Sequence, residues 1–216
     1  MTTYTVSNTN DAGDGSLRQA ILDANQNGGA DNIAFSLSSG AVITLASDLP
    51  QITDDVTINS GRVAGITVDG ADLYRVFWAA SGNIAINDLT VANGLAQGGG
   101  GGGGSGGFQG AGGGGAGLGG GLFVDQAAAV TLRGVTFADN HASGGDGHDP
   151  NGQLGGGGGG GMGADGLGGD FDAGGRGGGP DGGAGGDAAT LSENGGAFSG
   201  GGGGGPTSFG AEGSGG

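Results

Sequence analysis

Phe77–Asn93 reads FWAASGNIAINDLTVAN, and Phe123–Asp139 reads FVDQAAAVTLRGVTFAD. The two stretches align without a gap at an offset of 46, so that Ile84 falls on Val130, Ile86 on Leu132, Leu89 on Val135, Thr90 on Thr136, Val91 on Phe137 and Ala92 on Ala138. One structural unit is written twice. Within it, short triplets of apolar–Thr–apolar type put two side chains on one face and Thr on the other, the period of a strand. The same triplet occurs outside the repeat as Ile43-Thr44-Leu45, Val56-Thr57-Ile58 and Ile66-Thr67-Val68, with Ile84-Ala85-Ile86 and Val76-Phe77-Trp78 as variants. Strands this short, separated by Gly, Asn and Asp turns, do not suit a sandwich. They suit a solenoid in which each coil stacks on the last.

Upstream, the period changes to that of a helix. Leu17, Ala20, Ile21 and Ala24 recur at i, i+3, i+4, i+7, and Ser16 with Gln19 has capping-box spacing. Asn27-Gly28-Gly29 supplies a stop. A helix of this length does not stand alone in water. Its expected place is over the end of the sheet structure, where it blocks edge-to-edge aggregation.

Gly15-Ser16-Leu17-Arg18-Gln19-Ala20-Ile21, preceded by Val6–Asp11 and followed by Ala24-Asn25, resembles the amino-terminal cap of a family of bacterial surface and secreted proteins whose signature reads roughly C-S-L-R-E-A-I. Asp54–Ile58, Thr67–Gly70 and Leu89–Gly94 are similar to coils of the same family. Gly15 stands in place of the signature Cys and Gln19 in place of Glu. The resemblance implies an all-β fold, a right-handed parallel β-helix with a short amino-terminal capping α-helix. It also implies an extracellular or cell-surface setting and an adhesin or autotransporter-passenger role, with no specific ligand. The expected organisation is a cap over residues 1–30, coils over 31–97, a glycine-rich insertion over 98–121, a further coil over 122–143, and a glycine-rich region over 144–216 that leads into further coils. A third start of the repeat is read at Gly195-Gly196-Ala197-Phe198.

Only 10 of the 65 Gly lie in residues 1–97. The runs Gly98–Gly104, Gly155–Gly161 and Gly200–Gly205 admit two readings. One is flexible loop. The other is extended three-per-turn helices packed side by side, which only Gly permits at a crowded axis, with Phe108, Leu118, Met162, Leu167 and Phe171 as anchors. A phosphate-binding loop is excluded, because no Gly-x-x-x-x-Gly-Lys is present.

The net charge is −16, from 21 Asp plus Glu against 5 Arg and no Lys. That argues against binding nucleic acid or an anionic membrane. No stretch approaches a membrane span, so no membrane insertion is expected. There is no Cys, which removes disulfide scaffolds and thiolate metal sites. Met1–Val6 lacks the parts of a signal peptide, so export is expected to use a signal outside this chain.

Gly144-Gly145-Asp146-Gly147-His148-Asp149 and Gly182–Asp187 match the opening of the Gly-Gly-x-Gly-x-Asp calcium repeat. Asp146, Asp149 and Asp187 are therefore the candidate Ca²⁺ ligands. Asn151 and Ala189 stand where the repeat needs a large apolar residue, and no tandem copies are present. His141 and His148 are spaced as a loop pair for a transition metal, or as solvated histidines. Asp54-Asp55 is the only adjacent acid pair that polysaccharide cleavage could use. Without Lys, the chain has poor material for abstracting a proton from an acidic sugar. The aligned Thr residues suggest an outward column, matching ice or crystal surfaces or simply good strand-forming.

These readings converge on a structural or adhesive scaffold, not an enzyme, that needs no cofactor and presents glycine-rich loops. The expected partners are a host-cell, matrix or glycan surface, or another copy of the chain. The alternatives are a polysaccharide-active lyase or hydrolase and a calcium-binding module.

Overall fold

The computed structural model describes residues 1–61, 63–102, 112–147 and 165–167. In chain order the elements are β1 (Thr3–Val6), α1 (Leu17–Gln26), β2 (Asp31–Phe35), β3 (Val42–Thr44), β4 (Val56–Asn59), β5 (Thr67–Asp69), β6 (Phe77–Asn87), β7 (Thr90–Ala92), β8 (Leu95–Gln97), β9 (Leu122–Arg133), β10 (Thr136–Ala138) and β11 (His141–Ser143). They form a five-stranded sheet β1-β2-β4-β6-β9, a four-stranded sheet β10-β7-β5-β3 and a two-stranded sheet β11-β8. Every pairing in the two larger sheets is parallel. From β2 to β7 the chain alternates between the two larger sheets, and β4, β5, β6 and β7 each pair with the strand of the same sheet laid down before them.

The expected all-β fold, a right-handed parallel β-helix, is corrected. The architecture is mixed, with parallel sheets and one helix, about 7% helix and 40% strand among the described residues, and no closed solenoid is found there. The physical reason is that apolar–Thr–apolar triplets specify parallel pairing of successive passes but not closure. Open parallel sheets satisfy the same pattern. The helix also supplies core: α1 buries Leu17, Ala20, Ile21 and Ala24 and packs on β1 and β2.

The chain divides into two compact units, Met1–Ala96 with Gly119–His141, and Gln97–Leu118 with Ala142–Gly216. The glycine-rich stretch after β8 falls in the same unit as the residues that follow His141. In the first unit, the inward residues of each pass stack on those of the next. Ile33 pairs with Ile58 and Ile58 with Ile86, and all three are fully buried. Burial of each such side chain stabilises by about 1.5–3 kcal/mol.

Ile84 pairs with Val130 and Ile86 with Leu132 at the expected offset, but Phe77 pairs with Leu122 and Trp78 with Phe123, one residue earlier. The register shifts between Ala79 and Ser81, where β9 carries an extra residue. At this register the Trp78 and Phe123 rings meet edge to face at 5.4 Å, a favourable aromatic geometry. The turns repeat as well. Asp88 (φ 56) and Gly134 (φ 61) occupy the same place in the two copies, as do Asn93 (φ 48) and Asp139 (φ 52). All four are left-handed, a conformation Gly, Asn and Asp reach at least cost.

The cap is held by side chains the helix brings with it. Ser16 Oγ accepts from the Gln19 N–H at 3.1 Å. Gln19 does not complete the capping box; its Nε2 donates to Asp23 Oδ1 at 2.7 Å. Arg18 donates to Asp11 Oδ1 at 2.7 Å and to the carbonyls of Ser47 and Asp48, so one side chain fastens two loops to the helix. Gly15, with φ +74, leaves room where a Cβ would fall on Ser7 Oγ.

Candidate functional site

Among the described residues, those the sequence nominates lie apart from one another. Asp54 and Asp55 stand in the turn before β4, and their carboxylates are occupied with backbone. Asp54 Oδ2 accepts from the Gly29 N–H at 3.0 Å and Oδ1 from the Asp55 N–H at 2.7 Å. Asp55 Oδ1 accepts from Asn83, both from its N–H at 2.7 Å and from its Nδ2 at 3.1 Å. The pair thus ties one pass of chain to its neighbours. An open pocket of about 440 Å³ lies against Ser60, Val63, Gly65, Asp88, Thr90 and Gly134. Among the described residues that line it, Asp88 is the single carboxylate, where glycoside cleavage uses an acid pair.

Asp146 is exposed, and its backbone carbonyl accepts from the Gly101 N–H at 2.8 Å. Asp149, Asp187 and His148 lie outside the described residues, as do Gly155–Gly161, Gly200–Gly205 and Gly195–Phe198. Among the described residues no group of three or more His, Cys, Asp or Glu could hold a metal ion. His141 is exposed, and its N–H donates to the Gly94 carbonyl at 2.7 Å. The Thr column is partly formed. Thr67, Thr90 and Thr136 follow one another in register across β5, β7 and β10, but Val42 precedes them and Ala85 separates Thr57 from Thr131 in the other sheet.

The glycine-rich segments of the second unit show the most distinctive geometry. Gly98 and Gly101 donate to the carbonyls of Ser143 and Asp146, both at 2.8 Å. Gly112 and Gly115 donate to Gly102 and Gly99 at 3.0 and 2.7 Å, in the opposite chain direction. Gly145 donates to Gly115 at 2.8 Å and Gly166 to Gly100 at 2.7 Å. Asp165 Oδ1 accepts from the Gly100 N–H at 2.6 Å. Bonds to a given neighbour recur every third residue, and none of these glycines has positive φ. That is the pattern of extended three-per-turn helices set side by side. A Cβ on Gly98 would fall on the Gly115 carbonyl, on Gly101 on that of Gly112, on Gly114 on that of Gly145, and on Gly145 on that of Gly99. Of the two sequence readings, the described glycines follow the packed one.

Sequence reading missed a cluster in the first unit. The Arg75 guanidinium lies 4.9 Å from the Trp78 ring centroid and 5.7 Å from that of Phe123. Arg75 Nε donates to the Gly119 carbonyl at 3.2 Å, and its backbone N–H donates to Asp48 Oδ1 at 2.7 Å. Burial lowers the Arg75 pKa from its usual value, and the nearby Asp48 opposes the shift. The signal available in the sequence was the lone Trp, an aromatic partner 45 residues on, and one of only five Arg.

No helix among the described residues is long and apolar enough to cross a membrane. Comparison with known proteins finds no matching family model, no similar curated protein and no similar solved structure.

Proposed function

We propose that this protein is a non-catalytic scaffold of the extracellular space or cell surface, whose work is to present its glycine-rich segments to a host-cell, matrix or glycan surface. The observation that carries the reading is the packing of those segments. Their backbone groups are committed to one another every third residue, which turns a composition that ordinarily resists order into a surface with almost no side chains. Two features add support: the resemblance of Gly15–Ile21 to the cap of bacterial surface proteins, and an acidic charge of −16 that disfavours nucleic-acid partners. The engagement of Asp54 and Asp55 with backbone and with Asn83 weighs against the polysaccharide-cleaving alternative.

The test is a binding and turnover assay on one preparation. The chain is applied to surfaces coated with matrix protein or polysaccharide, with Ca²⁺ and with chelator. The expected result is saturable binding without release of sugar ends, unchanged by chelation. Release that disappears in Asp55→Asn would establish the enzyme instead. Binding and a melting temperature that both rise with Ca²⁺ would establish the calcium module.

A further inference from the structure

The dipeptide Asn-Gly stands at Asn27-Gly28, Asn93-Gly94, Asn151-Gly152 and Asn194-Gly195. It carries a reaction of its own, because a glycine N–H has no side chain to hinder its approach to the carboxamide carbon of the preceding Asn. A C–N bond forms between them. The side-chain nitrogen leaves as ammonia, taking the proton of the backbone amide, and a cyclic imide remains. Water then opens the ring at either carbonyl. The product is Asp, or an isoaspartyl link in which the main chain runs through the former side chain. The two of these dipeptides that lie among the described residues are held in opposite ways.

Asn93-Gly94 is clamped. Asn93 Nδ2 donates to Asp69 Oδ1 at 3.1 Å, and the attacking group, the Gly94 N–H, donates to Asn140 Oδ1 at 2.8 Å. The Asn93 N–H donates to the Ala138 carbonyl at 3.1 Å, and the Asn93 carbonyl accepts from the Asp72 N–H at 2.8 Å. Gly94 is buried, and a Cβ there would fall on the Gly120 carbonyl. Asn27-Gly28 stands instead at the end of α1, and both residues are exposed. No atom lies within 4 Å of a Cβ built on Gly28, and among the described residues its N–H donates to no group. Asn27 Nδ2 donates to Thr2 Oγ1 at 3.1 Å and to Asp31 Oδ1 and Oδ2 at 3.0 and 2.9 Å. These bonds hold the carboxamide, but they leave the attacking amide free. Bonds of an exposed residue at a helix end open without unfolding the rest of the chain.

We infer that Asn27 is a site of spontaneous modification, at which the Gly28 amide converts it to aspartyl and isoaspartyl residues in the folded chain while Asn93 stays intact. The reaction takes water as its co-reactant and needs no enzyme. Its product loosens the cap. A carboxylate at position 27 cannot donate to Asp31, and it sets a like charge beside that buried side chain. Asp31 Oδ1 also accepts from the Thr2 N–H at 2.7 Å, so the contact being weakened joins the end of α1 to the starts of β1 and β2. The change accumulates with the age of the molecule. The inference goes beyond the scaffold reading and does not depend on it, since the reaction proceeds whatever the protein binds.

The 216-residue chain would be held at neutral pH, folded and in denaturant, and sampled over weeks. Trypsin cuts after Arg18 and Arg62, and after Arg75 and Arg133, so the two sites fall in different peptides. Mass spectrometry of each peptide reads the exchange of the side-chain NH2 for OH. In denaturant both sites should convert alike. In the folded chain Asn27 should keep most of its rate, while Asn93 slows about tenfold or more because its clamp must open first. Gly28→Ala, whose Cβ meets no atom, should slow conversion at Asn27 about tenfold or more and leave the melting temperature no lower. Asn27→Asp, made directly, should melt below the native chain, and Asn27→Ala, which loses the donor without adding a charge, between the two. Conversion at Asn27 no faster than at Asn93 in the folded chain, or unslowed in Gly28→Ala, would overturn the site. An Asn27→Asp chain as stable as the native one would overturn its consequence for the cap.

Discussion

Two units of one chain solve the same problem with opposite materials. In Met1–Ala96 with Gly119–His141, neighbouring passes are held by branched side chains stacked pass on pass, Ile33 on Ile58 on Ile86. In the described residues of Gln97–Leu118 and from Ala142 onward, neighbours are held by backbone hydrogen bonds in which glycine N–H groups donate to the carbonyls of Gly, Ser143 and Asp146. The first arrangement tolerates variation at its outward positions and none at its inward ones. The second has neither inside nor outside in that sense. At the packed glycines a single added carbon collides with a neighbouring carbonyl. Order is therefore available to a glycine-rich chain when the chains are close enough to exchange hydrogen bonds, even though each Gly loses more entropy than any other residue.

The sharpest way to break the comparison is on the side-chain side. Ile58→Ala, at a fully buried position in the middle of the five-stranded sheet, should cost about 2–5 kcal/mol, read by denaturant unfolding. Amide exchange should show the loss across β2, β4 and β6. Next is Gly114→Ala, whose Cβ would fall on the Gly145 carbonyl. It should cost about 1–3 kcal/mol through displaced backbone hydrogen bonds, with amide protection lost at Gly115 and Gly145 while the first unit keeps its own. Equal loss in both units would mean that the two modes of packing are not separable.

A pH titration probes the side-chain unit alone. Asp31 lies below its ordinary pKa of 3.8 because Asn27 Nδ2 and the Thr2 N–H donate to it. At Asp11 burial acts to raise the pKa, but the hydrogen bonds from Arg18 and the Ala46 N–H and the Arg18 charge outweigh it, and the net shift is downward. Groups with lowered folded-state values contribute stability that is complete above the unfolded value and lost as pH falls through the folded one. The melting temperature should therefore hold from neutral pH to about 4 and fall below it, less so in Asp31→Asn. Tyr4 sets the other limit. Burial and the charges of Asp31 and Asp23 raise its pKa above 10.0, so its contribution is lost as pH rises beyond that value.

The smallest effect sharpens the contrast most. Gly28 has no atom within 4 Å of a built Cβ and no positive φ. Gly28→Ala should change stability by less than about 1 kcal/mol, in the stabilising direction, by restricting the unfolded chain. Identical chemistry at Gly114 and Gly28 then gives opposite signs, and the difference measures the packing.

The sequence was legible where local chemistry decides. Ser16, Leu17, Ala20, Ile21 and Ala24 placed α1 and its buried face, and the triplets located most strands of both larger sheets. It was not legible where distant groups compete. Whether Gln19 bonds back to the cap or forward to Asp23 depends on which acceptor lies nearer. The slip at β6 and β9 brings the Trp78 and Phe123 rings together, a contact between residues 45 apart that local pattern does not encode. Closure of the sheets depends on how the passes turn between strands, which the triplets do not encode. For the candidate site residues Asp54, Asp55 and Asp146 the sequence offers residue type alone. Their neighbours Gly29, Asn83 and Gly101 are brought to them only by folding, and the carboxylates of Asp54 and Asp55 tie separate passes of the chain together. The glycine runs were ambiguous for a related reason: a residue without a side chain carries no periodicity to read.

The three-residue rhythm of the glycine contacts has a consequence for inheritance. A tract of near-identical glycine codons is prone to lengthen and shorten as it is copied. Gain or loss of three residues leaves each amide facing the neighbour it faced before, whereas gain or loss of one or two turns a carbonyl toward an amide's place. Viable alleles of this protein should therefore differ in the length of these tracts by multiples of three residues.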